Sequence, residues 1–313
     1  MTVASLPVAI IDLGSNSVKL LVATRTPGGD VQALKLRTLD ARIGAGISRA
    51  RPVLGEAGME AAIEAIQALL REAEALHCDR HVLVATSAVR DAGNGSEFAR
   101  RVKNATGHPL RILSGAEEAN LIGRGLTADP ALTNWKEFYV FDLGGGSLEC
   151  LAFRGRRTEQ AVSLQLGCVR LTEQFVPDPA APFPVAVVPR IQEFIRGTLK
   201  NAGFAFSLPG VATAVGTGGT VTTARAILGA RAGQAFDTSV PVISTPQLRG
   251  LFDLLAPLTL DERRRIPGLP PGRADVFPIA VLTLVTVAEA GGLASFHNSL
   301  CNLRHGLAAE VLG

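Results

Sequence analysis

Apolar and polar positions follow two periods along the chain, one of strands and one of helices. From Val8 to Ile11 the residues are all apolar, end at Asp12, turn through Gly14-Ser15-Asn16-Ser17 and resume at Val18-Lys19-Leu20-Leu21-Val22. That pattern predicts strand, tight turn, strand. A third strand is expected from Val31, after the Gly28-Gly29-Asp30 turn. Between Glu56 and His77 the period lengthens, placing Met59, Ile63, Ile66, Leu69 and Leu70 on one helical face with Glu and Arg opposite. His81–Ala85 predicts a buried strand running into a polar loop, and Ser96 an N-cap for a helix that closes near Gly107. A short strand at Leu110 and a helix from about Gly115 follow, and the loop-like stretch 129–136 marks a domain boundary.

Tyr139–Phe153 then repeats the opening, with Asp142 and Leu143 leading through Gly144-Gly145-Gly146-Ser147 into Leu148-Glu149-Cys150. A strand entering a helix covers residues 158–175, a Pro-rich connector leads to a helix from Arg190, and an apolar strand runs into Gly216-Thr217-Gly218-Gly219-Thr220 and out into a helix. A helix capped by Ser244 or Thr245, a buried helix after Val276 and a last helix over 303–312 complete the chain. Such an order favours two similar α/β domains facing one another, 1–125 and 126–313, with room for the last helix, about 301–313, to pack back on the first.

Composition narrows the function. The 313 residues are 47% hydrophobic and 19% charged, with 33 Gly and 18 Pro, as in a globular α/β protein rich in tight connections. With 31 basic and 28 acidic residues the formal charge is +3, too slight for bulk nucleic-acid binding, so no DNA partner is expected. The runs Arg100-Arg101, Arg154-Arg156-Arg157 and Arg263-Arg264-Arg265 read as solvated faces. Cys78, Cys150, Cys168 and Cys301 are scattered, as reduced and mostly buried thiols would be, and the five histidines show no metal or triad arrangement. The N-terminus lacks signal-peptide features, and the apolar run from Val276 is too short to span a bilayer. A cytoplasmic protein off the membrane is the expectation, with a homodimer the default assembly.

A strand that ends in Asp and turns through Gly-x-x-Ser presents backbone N–H groups where no Cβ blocks a ligand, which suits phosphate. Gly14 and Gly144 permit the turns, Ser15, Asn16, Ser17 and Ser147 add donors, and Gly145 and Gly146 open the second copy further. Asp12 and Asp142 stand where a carboxylate holds a metal ion, directly or through water. Residues 216–220, ahead of a helix, form a third anion-attracting loop. A plain hairpin turn explains any one of these; two copies with Asp at the same offset favour ligand binding. Walker-type, dinucleotide-binding and serine-hydrolase signatures are absent.

In combination, Ile11–Val22, the Arg-bearing stretch 85–98, the acidic stretch Ile112–Gly125, Phe141–Glu149 and Ala214–Thr222 resemble the Ppx/GppA family of exopolyphosphatases and guanosine pentaphosphate phosphatases, with weaker echoes at 163–175 and 272–280. The resemblance implies two actin-like domains of the sugar-kinase and actin superfamily. It also implies hydrolysis of a terminal phosphoryl group of polyphosphate or pppGpp in an interdomain cleft, with Mg2+ as cofactor and polyphosphate or guanosine penta- or tetraphosphate as the bound partner. Glu118 would be the base that positions water, Glu149 would share that role or bind metal, and Arg90 would bind phosphate. Phosphoanhydride cleavage needs charge neutralised and water aligned, which agrees with this set. A helix-starting acid is the other reading of Glu117 and Glu118, and for Glu117 it is preferred. Arg90 also reads as a salt-bridge residue, and Arg42 and Arg170 stand open between phosphate contact and structure. Longer family members carry a C-terminal HD-type region; no His-Asp dipeptide occurs here, which points to short chains or nucleotide ends. His305 stands where the family often has Glu. The competing functions are a non-hydrolytic polyphosphate or guanosine-nucleotide sensor and, further off, a small-molecule kinase.

Overall fold

The computed structural model describes residues 6–211 and 213–313. The reading of a missing leader concerns residues 1–5 in part, and to that extent lies outside the described residues. Contacts gather the chain into two compact units. The first runs to Thr133 and takes in Cys301–Gly313, and the second spans Asn134–Leu300.

The first unit contains β1 (Val8–Leu13), β2 (Ser17–Arg25), β3 (Val31–Asp40), α1 (Glu56–Glu74), β4 (Arg80–Ala85), α2 (Ser87–Asp91), α3 (Gly95–Thr106), β5 (Leu110–Ile112) and α4 (Gly115–Thr127). The second contains β6 (Phe138–Leu143), β7 (Leu148–Arg154), β8 (Arg157–Leu164), α5 (Cys168–Phe175), α6 (Val188–Asn201), β9 (Thr213–Thr217), α7 (Gly218–Arg231), β10 (Val242–Ser244), α8 (Thr245–Leu255), α9 (Leu260–Arg263), α10 (Phe277–Gly291) and β11 (Ser295–Asn298). The chain closes with α11 (Leu303–Leu312) in the first unit. The first sheet has the order β3-β2-β1-β4-β5, with β1 antiparallel to β2 and parallel to β4. Along β8-β7-β6-β9-β11 the second sheet repeats that order and adds β10 at the edge. Each unit is thus an actin-like α/β domain, and the turn after its first strand lies beside the C-terminal end of a parallel neighbour.

Local physics accounts for the departures from expectation. Ile63 is half-buried, because Ala62, Ala65 and Ala73 join Met59, Ile66, Leu69 and Leu70 on the inner face of α1 and turn the stripe away from it. Residues 87–91, expected in a loop, form the short helix α2. The N-cap of α3 is Asn94 rather than Ser96, and its amide instead clamps a distant loop, accepting from Leu54 N at 2.8 Å and donating to Leu54 O at 3.0 Å. Arg263, expected on a solvated run, is 1% exposed. Its guanidinium donates to the carbonyls of Leu258, Ala274, Pro179 and Ala181, so backbone acceptors replace water around the charge. Cys150 and Cys168 are buried, whereas Cys78 and Cys301 are only half-buried.

Two helices of the first unit meet through glycine. A Cβ on Gly306 of α11 would lie 1.9 Å from Leu121 O of α4, and one on Gly125 of α4 would lie 2.2 Å from Asn302 O. At the start of α11, Asn302 accepts from Arg304 N while His305 Nδ1 accepts from Asn302 N at 3.3 Å. His305 therefore completes a capping box, the task that Glu or Gln performs three residues after a cap. Burial, and then the charge of Arg304, push its pKa down from 6.5 to about 4. Because the folded pKa lies below the unfolded one, the stabilisation is whole above about pH 6.5 and is lost as pH falls toward 4. That gap corresponds to about 3 kcal/mol. His305→Gln keeps the acceptor without titrating. Melting temperatures of the two proteins should therefore diverge between pH 6.5 and 4, with wild type falling more steeply; parallel curves would overturn this.

Candidate active site

In the first unit, the β1–β2 turn is closed by Gly14 N donating to Ser17 O at 3.1 Å. Ser15 is buried, with Oγ 3.3 Å from Ser87 Oγ at the start of α2, and Thr86 N donates to Leu13 O. One turn later Arg90 donates from Nη1 to Glu118 Oε2 at 2.8 Å and to Leu113 O at 3.1 Å. A continuous series of contacts thus runs from the first glycine turn through α2 to the first turn of α4. Glu118 is 6% exposed, so its charge is offset by a guanidinium rather than by water. Glu117, its neighbour, faces outward: it closes a capping box with Ser114 and pairs with Arg111, which hold its pKa down to about 2. Asn16 and Ser17 are half-buried in the turn, and Asn16 O accepts from Ala41 N and Arg42 N. Arg42 itself is exposed, with φ of 50°.

The second unit repeats the turn, with Gly144 N donating to Ser147 O at 3.0 Å. Register then exposes a difference between the copies. Asp12 faces Lys19 across β1 and β2, whereas Asp142 faces Glu149 across β6 and β7. Directly opposed side chains project from one face of a sheet, so the first copy matches opposite charges and the second sets two carboxylates together, a destabilising pair by itself. Glu149 is 2% exposed and accepts from Ser163 Oγ at 2.7 Å. Beside this pair lies the third loop, where β9 passes at Gly218 into α7. Gly218 has φ of 77°, and a Cβ there would lie 2.0 Å from Asp142 Oδ1, so only glycine fits both the backbone and the carboxylate. Thr217 and Thr220 are fully buried, and Thr220 Oγ1 donates to Leu143 O rather than facing outward.

A cation suits this donor set. Magnesium keeps several waters and takes one or two protein carboxylates together with substrate phosphate oxygens, which two opposed carboxylates match. In the first unit Asp12 Oδ1 is buried without a hydrogen-bond partner among the described residues. No group of three or more His, Cys, Asp or Glu side chains gathers among the described residues, so no metal cage of protein ligands alone is formed there.

A model of the Ppx/GppA phosphatase family matches residues 21–313. The chain belongs to the Ppx/GppA phosphatase family. It is therefore a phosphatase by descent. It is 30% identical, over 98% of both chains, to exopolyphosphatase 2 of Mycobacterium tuberculosis. Its fold matches that of an exopolyphosphatase from Cytophaga hutchinsonii with a TM-score of 0.88, at 22% identity over 98% of this chain and 97% of that one. The Ppx/GppA family member of Aquifex aeolicus follows with a TM-score of 0.77, at 28% identity over 98% of each chain.

Within this Ppx/GppA chain, the structure groups Ser15, Arg90 and Glu118 in one unit and Asp142, Glu149, Gly144–Ser147 and Gly218 in the other. Sequence reasoning passed over Ser87 and Arg273. Arg273 Nη2 donates to Thr220 Oγ1 at 3.1 Å, its Nη1 would lie 1.9 Å from a Cβ on Gly219, and its Nε has no hydrogen-bond partner among the described residues. It also lowers the pKa of the buried Cys168 thiol, against the stronger upward push of burial. The signal was an Arg between Gly272 and Ala274 in one of the two weaker family echoes, 53 residues from the threonine it bonds.

Proposed function

We propose that the protein hydrolyses terminal phosphoanhydride bonds of polyphosphate, of short chains above all, of guanosine pentaphosphate, or of both. The asymmetry between the two turns carries this reading: the same phosphate-suited hairpin occurs twice, and only the second pairs Asp142 with Glu149. A module that only grips a polyanion has no use for two opposed carboxylates, whereas one that cleaves it needs a charge-neutralising ion and an oriented water. Asp142 and Glu149 would hold the magnesium ion, and the bound ion would neutralise charge on phosphate oxygens; Asp12 is the corresponding carboxylate of the first unit. The remaining work falls to the chain. Backbone donors of the 14–17 and 144–147 turns bind phosphate oxygens. Arg90 holds the Glu118 carboxylate in place and presents positive charge to the substrate. Glu118 then accepts the proton of the water that attacks the terminal phosphorus. With a bound ion offsetting Glu149, that role is left to Glu118.

Purified protein should release orthophosphate from polyphosphate of several lengths or from pppGpp, and the release should stop with EDTA and return with added Mg2+. Glu149→Gln should raise the magnesium concentration needed. Thermal stabilisation by polyphosphate with no orthophosphate released at any Mg2+ concentration would overturn the hydrolase reading in favour of a sensor.

A further inference from the structure

We propose that Arg170, with the N-terminus of α5, is a positioning device that holds the backbone of the second phosphate turn in its anion-accepting orientation. In a trans peptide the carbonyl of one residue and the N–H of the next point to opposite sides. Gly144 O accepts from Cys168 N at 3.0 Å, and Gly145 O accepts from Val169 N at 2.8 Å and from Arg170 N at 3.3 Å. Gly146 O accepts from Arg170 Nε at 3.1 Å. Three successive carbonyls are therefore drawn toward α5, and the N–H groups of Gly145, Gly146 and Ser147 are turned away from it.

Three consecutive glycines have no side chain to resist a peptide flip, and each flip would set a carbonyl dipole against an anion where a donor is needed. The contacts from α5 oppose that flip. They require close approach, and Gly167 permits it: a Cβ there would lie 2.3 Å from both Gly145 O and Gly146 C. Backbone donors hold the first turn in the same manner. Ser15 O accepts from Gly44 N at 2.8 Å, Asn16 O from Ala41 N and Arg42 N, and a Cβ on Gly44 would lie 2.6 Å from Ser15 Cβ. Gly44 and Gly167 are thus counterparts, and the second turn also receives the side chain of Arg170. Arg170 is buried, and its Nε grips the loop from behind.

The inference rests on the 144–147 turn binding phosphate, as in the proposed function. Arg170→Met keeps the stem and removes the donor. Its kcat for orthophosphate release should fall about 10–100-fold, with KM rising less, because the aligned donors matter most where charge develops. Its melting temperature should stay close to wild type, and Arg170→Lys should recover part of kcat. A folded Arg170→Met enzyme with unchanged kcat, or a loss that lies wholly in KM, overturns the inference. A measurement on wild type decides it even where the variants do not fold. In spectra with 15N-labelled glycine and serine, the amides of Gly145, Gly146 and Ser147 should shift on adding tripolyphosphate with Mg2+. Unmoved amides in a protein that releases orthophosphate overturn the inference, and with it the phosphate-binding role of this turn, while the hydrolase reading stands. Absence of release with those amides shifted counts against the hydrolase reading alone.

Discussion

Glu118→Gln should lower kcat for orthophosphate release by about 10²–10⁴-fold while leaving the fold in place, as expected for loss of a general base. The carboxylate is buried on α4 and receives Arg90 Nη1 at Oε2, 2.8 Å away. A glutamine of the same shape still offers an amide oxygen to that guanidinium, so Arg90 keeps an acceptor and the melting temperature should change little. What disappears is the ability to take a proton. Glu117→Gln is the matched control, because Glu117 acts as the capping-box acid of α4 and partner of Arg111 at the surface. Glutamine also serves in a capping box, so its kcat should stay within about two-fold of wild type. A fully active Glu118→Gln protein would remove Glu118 from the mechanism; equal losses in both variants would trace the effect to the helix start.

Why one of two adjacent glutamates is buried on an arginine and the other solvated was only partly legible in the sequence. The capping signature Ser114-x-x-Glu117 is local and assigns Glu117 directly. Glu118 needs α2, since Arg90 reaches it from a segment that the apolar pattern reads as loop. The duplicated turns were legible because a tight hairpin sets its own register. Once Asp12 and Asp142 are aligned, Lys19 and Glu149 must stand opposite them. Contacts made by topology were not legible. Arg263 sits in a run that looks solvated, yet four carbonyls from three segments enclose it. Arg273 covers a loop far away in sequence, and Gly167 looks like any helix-starting glycine until Gly145 and Gly146 are placed against it. Buried polar groups take their partners from the fold, so a one-dimensional pattern marks their presence and not their roles.

Gly306→Ala should be among the most destabilising small substitutions in the chain, although alanine is the better helix former. Helix propensity alone favours alanine over glycine by about 1 kcal/mol. Against that, the new Cβ would lie 1.9 Å from Leu121 O, a backbone atom in a helix that has no rotamer to change. The crossing of α4 and α11 must open, and overpacking of this kind costs about 1–3 kcal/mol, occasionally more. Because the clash is with backbone on both sides of the crossing, a net loss of about 2 kcal/mol is expected, equivalent to a fall of about 4–8 °C in melting temperature. Gly197→Ala in α6 supplies the contrast: nothing lies within 4 Å of a Cβ there, so the same substitution should stabilise slightly. The first change should also reach function, since α4 carries Glu118 in its first turn and any shift of that helix alters the approach of Arg90. A Gly306→Ala protein as stable and as active as Gly197→Ala would show that the two helices tolerate a wider crossing, and that the absent Cβ at residue 306 does not set the position of Glu118.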